Sequence, residues 1–337
     1  MENRIVWADS LKGVLILLVI LGHALQCVLG DEMESNKLWC MIYSFHMPAF
    51  IAMSGYFSHT NTSLSNRNFL GSIIRRLKQL LVPYFVWSII HYIKKQDYSL
   101  HRIIEYVTLP ETSFWFLWVL FWIFVIFQVI RWASMQMKVD EIIIMFLSSL
   151  LLIAIMGIYN IRIFGFHLIS YYFLFFLLGY CIHRYPVFRT CSRWTIVLAA
   201  IVWFFMAWNW SMHNLPNWFP NSVVIPSAIL QVLYRGLTAC IAIVCIFNIA
   251  PLFLNKPFKT SDVIQWLGEY SLGVYVVHLV VVGQTAFMNF INRVIPSVDI
   301  TFLVFILCLF SVITSSITIK IILLNKTLSR ILLGKLR

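Results

Sequence analysis

Long apolar runs separated by short polar connections extend over the whole of this 337-residue chain. A helix that crosses the hydrocarbon core of a bilayer needs about 20 mostly apolar residues. Ten segments meet that requirement, at residues 8–30, 38–58, 74–93, 113–132, 141–159, 167–184, 194–212, 224–248, 264–289 and 300–324. The connections contain no Pro-, Gly- or Ser-rich linker that would mark a second domain. The pattern predicts an all-α, polytopic integral membrane protein of about ten transmembrane helices, with a single domain over residues 1–337.

The composition excludes the main alternatives to a membrane protein. Hydrophobic residues make up 61% of the chain and charged residues 11%, whereas soluble domains carry about 25% charged residues. The seven cysteines show no C-x-x-C spacing, so we expect neither a metal site nor a disulfide framework. The first apolar run carries Asp9, Lys12 and His23 and lacks a small-x-small cleavage site, which indicates a retained first span.

The net charge of +12 fits membrane topology better than nucleic-acid binding, because cytoplasmic loops collect Lys and Arg. With the N-terminus inside, seventeen of these cations fall on the inner side and six on the outer side. The split predicts that both termini are cytoplasmic. We also expect a multi-pass protein of the inner (cytoplasmic) membrane of the cell. We expect membrane lipid and no nucleic acid as partners, while the oligomeric state stays open.

Ionisable side chains inside the predicted spans fall into two depth zones. Such groups are costly in lipid and usually face the bundle interior or a water-filled cavity. The outer half and middle hold His23, His46, His278 and Arg235, and the inner face holds Lys12, Arg75, Arg76, Lys78 and Glu269. Lys12 and His23 are eleven residues apart, about 16 Å along one helix and on nearly the same face. The first span therefore links the two zones.

Each of these residues also has a purely structural interpretation. A histidine within the membrane can serve as a helix–helix hydrogen-bonding group, and third-span cations can anchor a helix at the inner face. A guanidinium at Arg235 can pair with a buried carbonyl or carboxylate. The tryptophans near the outer face fit an interfacial belt, namely Trp115, Trp118, Trp208, Trp210 and Trp218.

A proline lies close to the second histidine. Pro48 has no N–H and frees the carbonyl of Ser44, so the helix is predicted to kink there. A kink beside His46 suits a cavity wall, and it equally suits tight packing.

Five motifs share these spans: Asp9-Ser10-Leu11-Lys12-Gly13 with Leu21-Gly22-His23; Ser44-Phe45-His46-Met47-Pro48-Ala49-Phe50 with Ser54-Gly55-Tyr56; Arg75-Arg76-Leu77-Lys78 with Leu81-Val82-Pro83-Tyr84-Phe85; Trp115-Phe116-Leu117; and Leu267-Gly268-Glu269-Tyr270-Ser271-Leu272-Gly273-Val274-Tyr275 through His278. Together they resemble the membrane acyltransferase-3 family, especially its fucose 4-O-acetylase-like branch. The resemblance implies about ten transmembrane helices and transfer of an acyl group, commonly acetyl from cytoplasmic acetyl-CoA, to a glycan or lipid-linked sugar.

The resemblance also implies roles for individual residues. The family signature of Arg, ten residues and His corresponds to Lys12 and His23, which makes His23 the catalytic residue. The third-span Arg-x-x-Arg corresponds to Arg75-x-x-Lys78, with Arg76 as a possible substitute. Lys keeps the charge of Arg and loses its bidentate fork.

An O-acyltransferase needs a base for the hydroxyl, cations for the donor phosphates and a passage between them. His23 would take the proton during direct attack or be acetylated itself. His46 or Arg235 would polarise the thioester or orient the acceptor, and Lys12, Arg75, Arg76 and Lys78 would bind the phosphates. We expect supporting roles for Asp9, Glu269 and His278, either in holding the substrate or in holding the structure of the site. The alternative is a non-enzymatic glycan transporter, flippase or proton-coupled carrier, in which His and Arg relay protons or bind cargo.

Overall fold

The computed structural model describes residues 5–59, 66–96, 99–159, 161–219, 227–254, 261–280 and 299–335, and within them regular structure is entirely helical. The α-helices are α1 Val6–Leu29, α2 Lys37–Tyr43, α3 His46–Tyr56, α4 Asn66–Arg76, α5 Val82–Lys95, α6 Leu100–Thr108, α7 Trp115–Met137, α8 Glu141–Tyr159, α9 Phe166–Arg184, α10 Arg193–Trp208, α11 Ser227–Leu254, α12 Ser261–Glu269, α13 Ser271–Val280, α14 Ile300–Leu323 and α15 Lys326–Leu333. The predicted all-α class is confirmed.

Five helices in the described part of the chain are long and apolar enough to cross a membrane. They are Val6–Ser35, Trp115–Met137, Ile163–Arg184, Ser227–Leu254 and Ile300–Leu323, and they match the predicted first, fourth, sixth, eighth and tenth spans. The other predicted spans correspond to shorter helices, α8 and α10, or to interrupted ones, α2/α3, α4/α5 and α12/α13. Residues 224–226 and 281–289 of the predicted eighth and ninth spans lie outside the described residues.

The chain groups into two compact units. The first unit comprises residues 1–53 and 184–317, and the second comprises residues 54–183 and 318–337. In the first unit, α1 and α2 pack with α10, α11 and α14 around a core in which Trp39 and Leu307 are fully buried. This core closes over the C-terminal half of α1, which carries His23.

Helices α1 and α12 of the first unit approach each other closely because glycines lie at their crossing. A Cβ at Gly268 would lie 1.7 Å from the backbone oxygen of Asp9, and one at Gly13 would lie 2.0 Å from that of Ile264. Small residues let helix backbones come together in this way when no hydrophobic force drives helices together. The crossing fixes the N-terminal half of α1, where Asp9 and Lys12 lie.

The predicted kink in the second span is present as a break between α2 and α3. Helix α2 ends at Tyr43 and α3 begins at His46, so only Ser44 and Phe45 lie between them. Pro48 explains the position of the break, because it cannot donate a hydrogen bond to the Ser44 carbonyl. The hydroxyl of Ser44 donates to the Met41 oxygen at 2.7 Å and so satisfies another carbonyl at the break.

The second unit contains the third-span motif in an irregular helix. A π-helical turn, Leu77–Leu81, joins α4 to α5, and Pro83 lies in the first turn of α5. Beyond it, the indole of Trp87 donates to the Leu332 oxygen at 2.8 Å, which ties α5 to α15. Gly334 ends α15 with φ +63 beside the backbone of Gln79. The predicted third span is therefore not uniformly α-helical.

The interfacial-belt interpretation is wrong for two of the five tryptophans. Trp118 is 5% exposed, and its indole donates to the Phe164 oxygen at 2.9 Å. Trp210 is 3% exposed and packs within the core of the first unit. Hydropathy cannot separate a tryptophan that faces lipid from one that faces protein, because both positions favour the same side chain.

Candidate functional site

Three polar side chains of the first unit meet at one amide oxygen. The Nδ1 atom of His23 lies 3.2 Å from Oε1 of Gln26, one turn further along α1. The hydroxyl of Tyr43, at the end of α2, donates to the same oxygen at 3.1 Å. An amide oxygen accepts two hydrogen bonds, so a single Gln26 side chain orients both partners. His23 is partly exposed as a residue, whereas His46 and His278 on other helices are buried.

A glycine makes room for the tyrosine in this arrangement. A Cβ at Gly22 would lie 2.8 Å from Cε2 of Tyr43, which is closer than real Cβ contacts come. On its other side, Tyr43 stacks on Trp39 with ring centroids 4.0 Å apart. Trp39 is fully buried, so the tyrosine ring packs against the core of the first unit. The Leu21-Gly22-His23 motif therefore places the space that Tyr43 needs directly beside the His23 imidazole.

His46 is held by the helix break. Its Nδ1 lies 2.7 Å from the backbone oxygen of Ile42, so the imidazole satisfies a carbonyl at the end of α2. Its ring meets that of Tyr43 edge to face with centroids 4.9 Å apart. The side chain is 4% exposed. The break thus determines which nitrogen of His46 carries the proton, because a carbonyl can only accept.

His278, on α13, is the neighbour of His23. The two rings lie with centroids 5.3 Å apart and planes inclined at 44°. Nδ1 of His278 lies 2.8 Å from the Val274 oxygen, one turn earlier in the helix. The side chain is 1% exposed, and among the described residues its Nε2 has no hydrogen-bond partner. Helix α13 therefore brings a buried imidazole against α1.

The three histidines share one protonation pattern. In each ring Nδ1 faces an oxygen that accepts, so in the neutral form Nδ1 carries the hydrogen and Nε2 carries a lone pair. A neutral ring with a lone pair on Nε2 can take a proton from a hydroxyl that reaches it. Such a site can act as a general base.

Lys12 and Asp9 form an ion pair on the N-terminal half of α1. The Lys12 Nζ lies 2.7 Å from Oδ1 of Asp9, and both side chains are partly exposed. Asp9 thus has its structural partner in Lys12. Glu269 ends α12 at the break before α13, next to Gly268 and the crossing with α1. Asp9, Lys12 and Glu269 therefore all belong to the stretch of chain at the crossing of α1 and α12.

The third-span cations belong to the second unit, and they differ from one another. Arg76 lies 4.8 Å from the centre of the Phe124 ring and donates from Nη1 to Oε1 of Gln79 at 3.3 Å. Arg75 and Lys78 are exposed. The structure assigns Arg76 a packing role inside its unit and leaves the other two cations open to solvent or ligand.

Arg235, on α11, lies beside the segment that follows α10. Its Nη1 donates to the Met212 oxygen at 3.2 Å, and its guanidinium lies 5.3 Å from the centre of the Trp210 ring. The pairing with a backbone carbonyl is the structural role considered from the sequence. Neither contact joins Arg235 to the histidines.

Gln26 and Tyr43 are the two site residues that sequence reasoning missed. A signal existed for each, since Gln26 lies one turn after His23 and Tyr43 lies three residues before His46. Neither stands out in the sequence, because only ionisable side chains are rare in membrane helices. Among the described residues, no group of three or more His, Cys, Asp or Glu side chains could hold a metal ion.

Comparison with known proteins supplies a family. A family model described as an acyltransferase domain matches residues 5–321 of this chain. Two curated relatives are named nodulation protein NolL. The protein from Sinorhizobium fredii (strain NBRC 101917 / NGR234) is 32% identical over 126 residues, which cover 35% of this chain and 34% of the relative. The protein from Mesorhizobium japonicum (strain LMG 29417 / CECT 9101 / MAFF 303099) is 30% identical over 138 residues, or 38% of this chain and 36% of the relative.

The alignments with both relatives therefore span about a third of each protein. No solved structure matches the chain.

Proposed function

The chain belongs to the acyltransferase-3 family, and on that premise we propose that it is a membrane-bound O-acyltransferase. It moves an acetyl or similar acyl group from cytoplasmic acetyl-CoA to a hydroxyl of a cell-surface or lipid-linked glycan. The observation that supports this most directly is the hydrogen bond between His23 Nδ1 and Gln26 Oε1. It leaves Nε2 of His23 as a lone-pair base.

In the proposed reaction, His23 Nε2 removes the proton of the acceptor hydroxyl. The hydroxyl oxygen attacks the thioester carbonyl carbon, the carbon–sulfur bond breaks, and the proton passes to the sulfur of the departing CoA. Gln26 keeps Nδ1 protonated throughout and so holds Nε2 in the basic form. An acyl group carried on His23 itself is the alternative route. His46 and Arg235 have supporting roles, as groups that orient the acceptor or polarise the thioester.

The phosphates of the donor are proposed to bind Lys12, Arg75, Arg76 and Lys78 at the cytoplasmic mouth. A CoA molecule carries a pyrophosphate and a 3′-phosphate, so it needs several cations and cannot cross hydrocarbon unaided. Lys12 lies about three turns from His23 on α1, a distance that an extended pantetheine arm can span. Asp9, which pairs with Lys12, would hold that lysine in place.

The membrane arrangement in this proposal has ten spans in one functional domain, with both termini in the cytoplasm and the chain in the cytoplasmic membrane. The excess of Lys and Arg in alternate connections supports it. Five helices of the described residues are long and apolar enough to cross a membrane, which supports a multi-pass arrangement. A multi-pass chain of this kind lets the nucleotide stay in the cytoplasm while the thioester reaches the histidine.

The test is acetyl transfer by purified protein in lipid nanodiscs, with radiolabelled acetyl-CoA and a panel of glycoside and membrane-glycan acceptors. We expect His23→Ala to fold and bind CoA and to lose transfer by about 10²- to 10⁴-fold, the usual contribution of general-base catalysis. His101→Ala is the matched control, since the His101 side chain is 82% exposed. A His23→Ala variant with wild-type transfer would remove His23 from the mechanism, and a protein that moves glycan without consuming acetyl-CoA would be a carrier.

A further inference from the structure

A buried imidazole nitrogen beside His23 has no role in the reaction as proposed so far. His278 uses Nδ1 to donate to the Val274 oxygen at 2.8 Å, so its Nε2 carries a lone pair. That nitrogen is buried, and within the described ranges nothing donates a hydrogen bond to it. Leaving a buried acceptor without a donor costs free energy. The cost is recovered when a ligand supplies an O–H or N–H.

The position of His278 restricts what that ligand can be. Its ring lies 5.3 Å from that of His23, and no described hydrogen bond joins the two. In their neutral forms, both rings present Nε2 as an acceptor, so neither can donate to the other. Two neighbouring acceptors need two donors. A single hydroxyl has one O–H and satisfies only one of them, and a carboxylate or phosphate dianion has no donor at all.

We propose that His23 and His278 together bind two neighbouring hydroxyls of one sugar ring. The hydroxyl on His23 Nε2 is the one that is acylated, and the adjacent hydroxyl donates to His278 Nε2 and fixes which oxygen reacts. This rests on the proposed transferase function and specifies its acceptor as a glycan with a vicinal diol. His278 keeps its proton on Nδ1 and neither gains nor loses one, so the transfer step is unchanged.

The experiment pairs changes in the protein with changes in the acceptor. His278→Asn retains an N–H donor for the Val274 carbonyl and has no atom in place of Nε2. His278→Gln places an amide near the Nε2 position and is the conservative variant. Each protein is assayed in nanodiscs with methyl pyranosides that the wild type acetylates, and with deoxy analogues that lack one hydroxyl next to the acetylated oxygen.

We expect the wild type to prefer the diol over the deoxy acceptor about tenfold in kcat/KM, the value of one hydrogen bond at the upper end of its range. In His278→Asn the ratio should fall to about one, because the variant and the deoxy acceptor remove the same contact. His278→Gln should restore part of the preference. His278→Asn should also give a mixture of products that are acetylated on different oxygens.

Two outcomes would overturn the inference. Equal losses of transfer from His278→Asn on diol and deoxy acceptors would assign His278 a structural role only. A tenfold preference that persists in His278→Asn with no loss of transfer on either acceptor would place the second hydroxyl elsewhere. If the chain is not a transferase, the result is different. The wild type would then acetylate none of the glycosides or membrane glycans, with or without a vicinal diol.

Discussion

The histidine site of the first unit and the cation motif of the second unit differ in how tightly their side chains are held. In each of the three histidines, His23, His46 and His278, Nδ1 donates a hydrogen bond to an oxygen of a residue three or four positions away in the chain. Of the cations, Arg76 is held by Gln79 and Phe124, whereas Arg75 and Lys78 are exposed. A base must have the right nitrogen free before substrate arrives, while exposed cations can adjust to a mobile phosphate chain. For the proposed function, the first unit would contribute geometric preorganisation and the second electrostatic capture.

The strongest test of preorganisation is to remove the oxygen that orients His23. Gln26→Leu is expected to lower kcat for transfer about 100-fold with little change in KM, because the ring loses both the acceptor that sets its tautomer and the contact that orients it toward the hydroxyl. Gln26→Glu retains an acceptor oxygen and should keep most of the activity. Steady-state kinetics in nanodiscs measure both parameters.

Tyr43→Phe is the graded control for Gln26→Leu, since it removes only the second hydrogen bond to the Gln26 oxygen. It should cost a few-fold in kcat, consistent with one neutral hydrogen bond. Wild-type kcat in Gln26→Leu would show that the tautomer of His23 is set by something other than this amide.

A smaller effect is expected at His46, which is held by the helix break. His46→Ala should reduce transfer about tenfold and lower the thermal midpoint, because the Ile42 carbonyl loses its imidazole partner. His46→Asn can still donate to that carbonyl and should recover the thermal midpoint. If His46→Ala stays folded and is as inactive as His23→Ala, the two histidines share the chemistry and the ranking of the two is wrong.

The smallest effect is expected in the cation motif and differs between adjacent arginines. Arg75→Gln should weaken CoA binding about fivefold, or about 1 kcal/mol, and leave stability unchanged, because its side chain is exposed. Arg76→Gln should weaken CoA binding and also lower the thermal midpoint, since it loses the contact with Phe124. Calorimetry with CoA, dephospho-CoA and acetyl-pantetheine measures the phosphate dependence.

Lys138→Gln is the matched control for the arginine variants, as an exposed cation outside the motif. It should bind all three donors as the wild type does. Equal losses for CoA and acetyl-pantetheine in Arg75→Gln would contradict phosphate binding and support the lipid-anchor role instead.

Much of the fold followed from the periodicity and hydropathy of the sequence. The helical class, the five long apolar helices and the break beside Pro48 were all predicted, because each depends on local composition or on a missing N–H. The irregular third span and the burial of Trp118 and Trp210 were not. A π-helical turn depends on the accommodation of one extra residue, and the burial of an indole depends on which helix packs against it.

The sequence by itself determined which side chains could carry chemistry: an ionisable group in an apolar helix is rare and costly enough to stand out without a structure. It also determined that Lys12 and His23 share a face of one helix, since eleven residues are close to three turns. Only the tertiary structure decided that His278 lies beside His23, that Tyr43 from another helix shares the oxygen of Gln26, and that Gly22 makes room for it. These contacts join residues distant in the chain, and their geometry depends on how closely helices pack, which hydropathy does not encode.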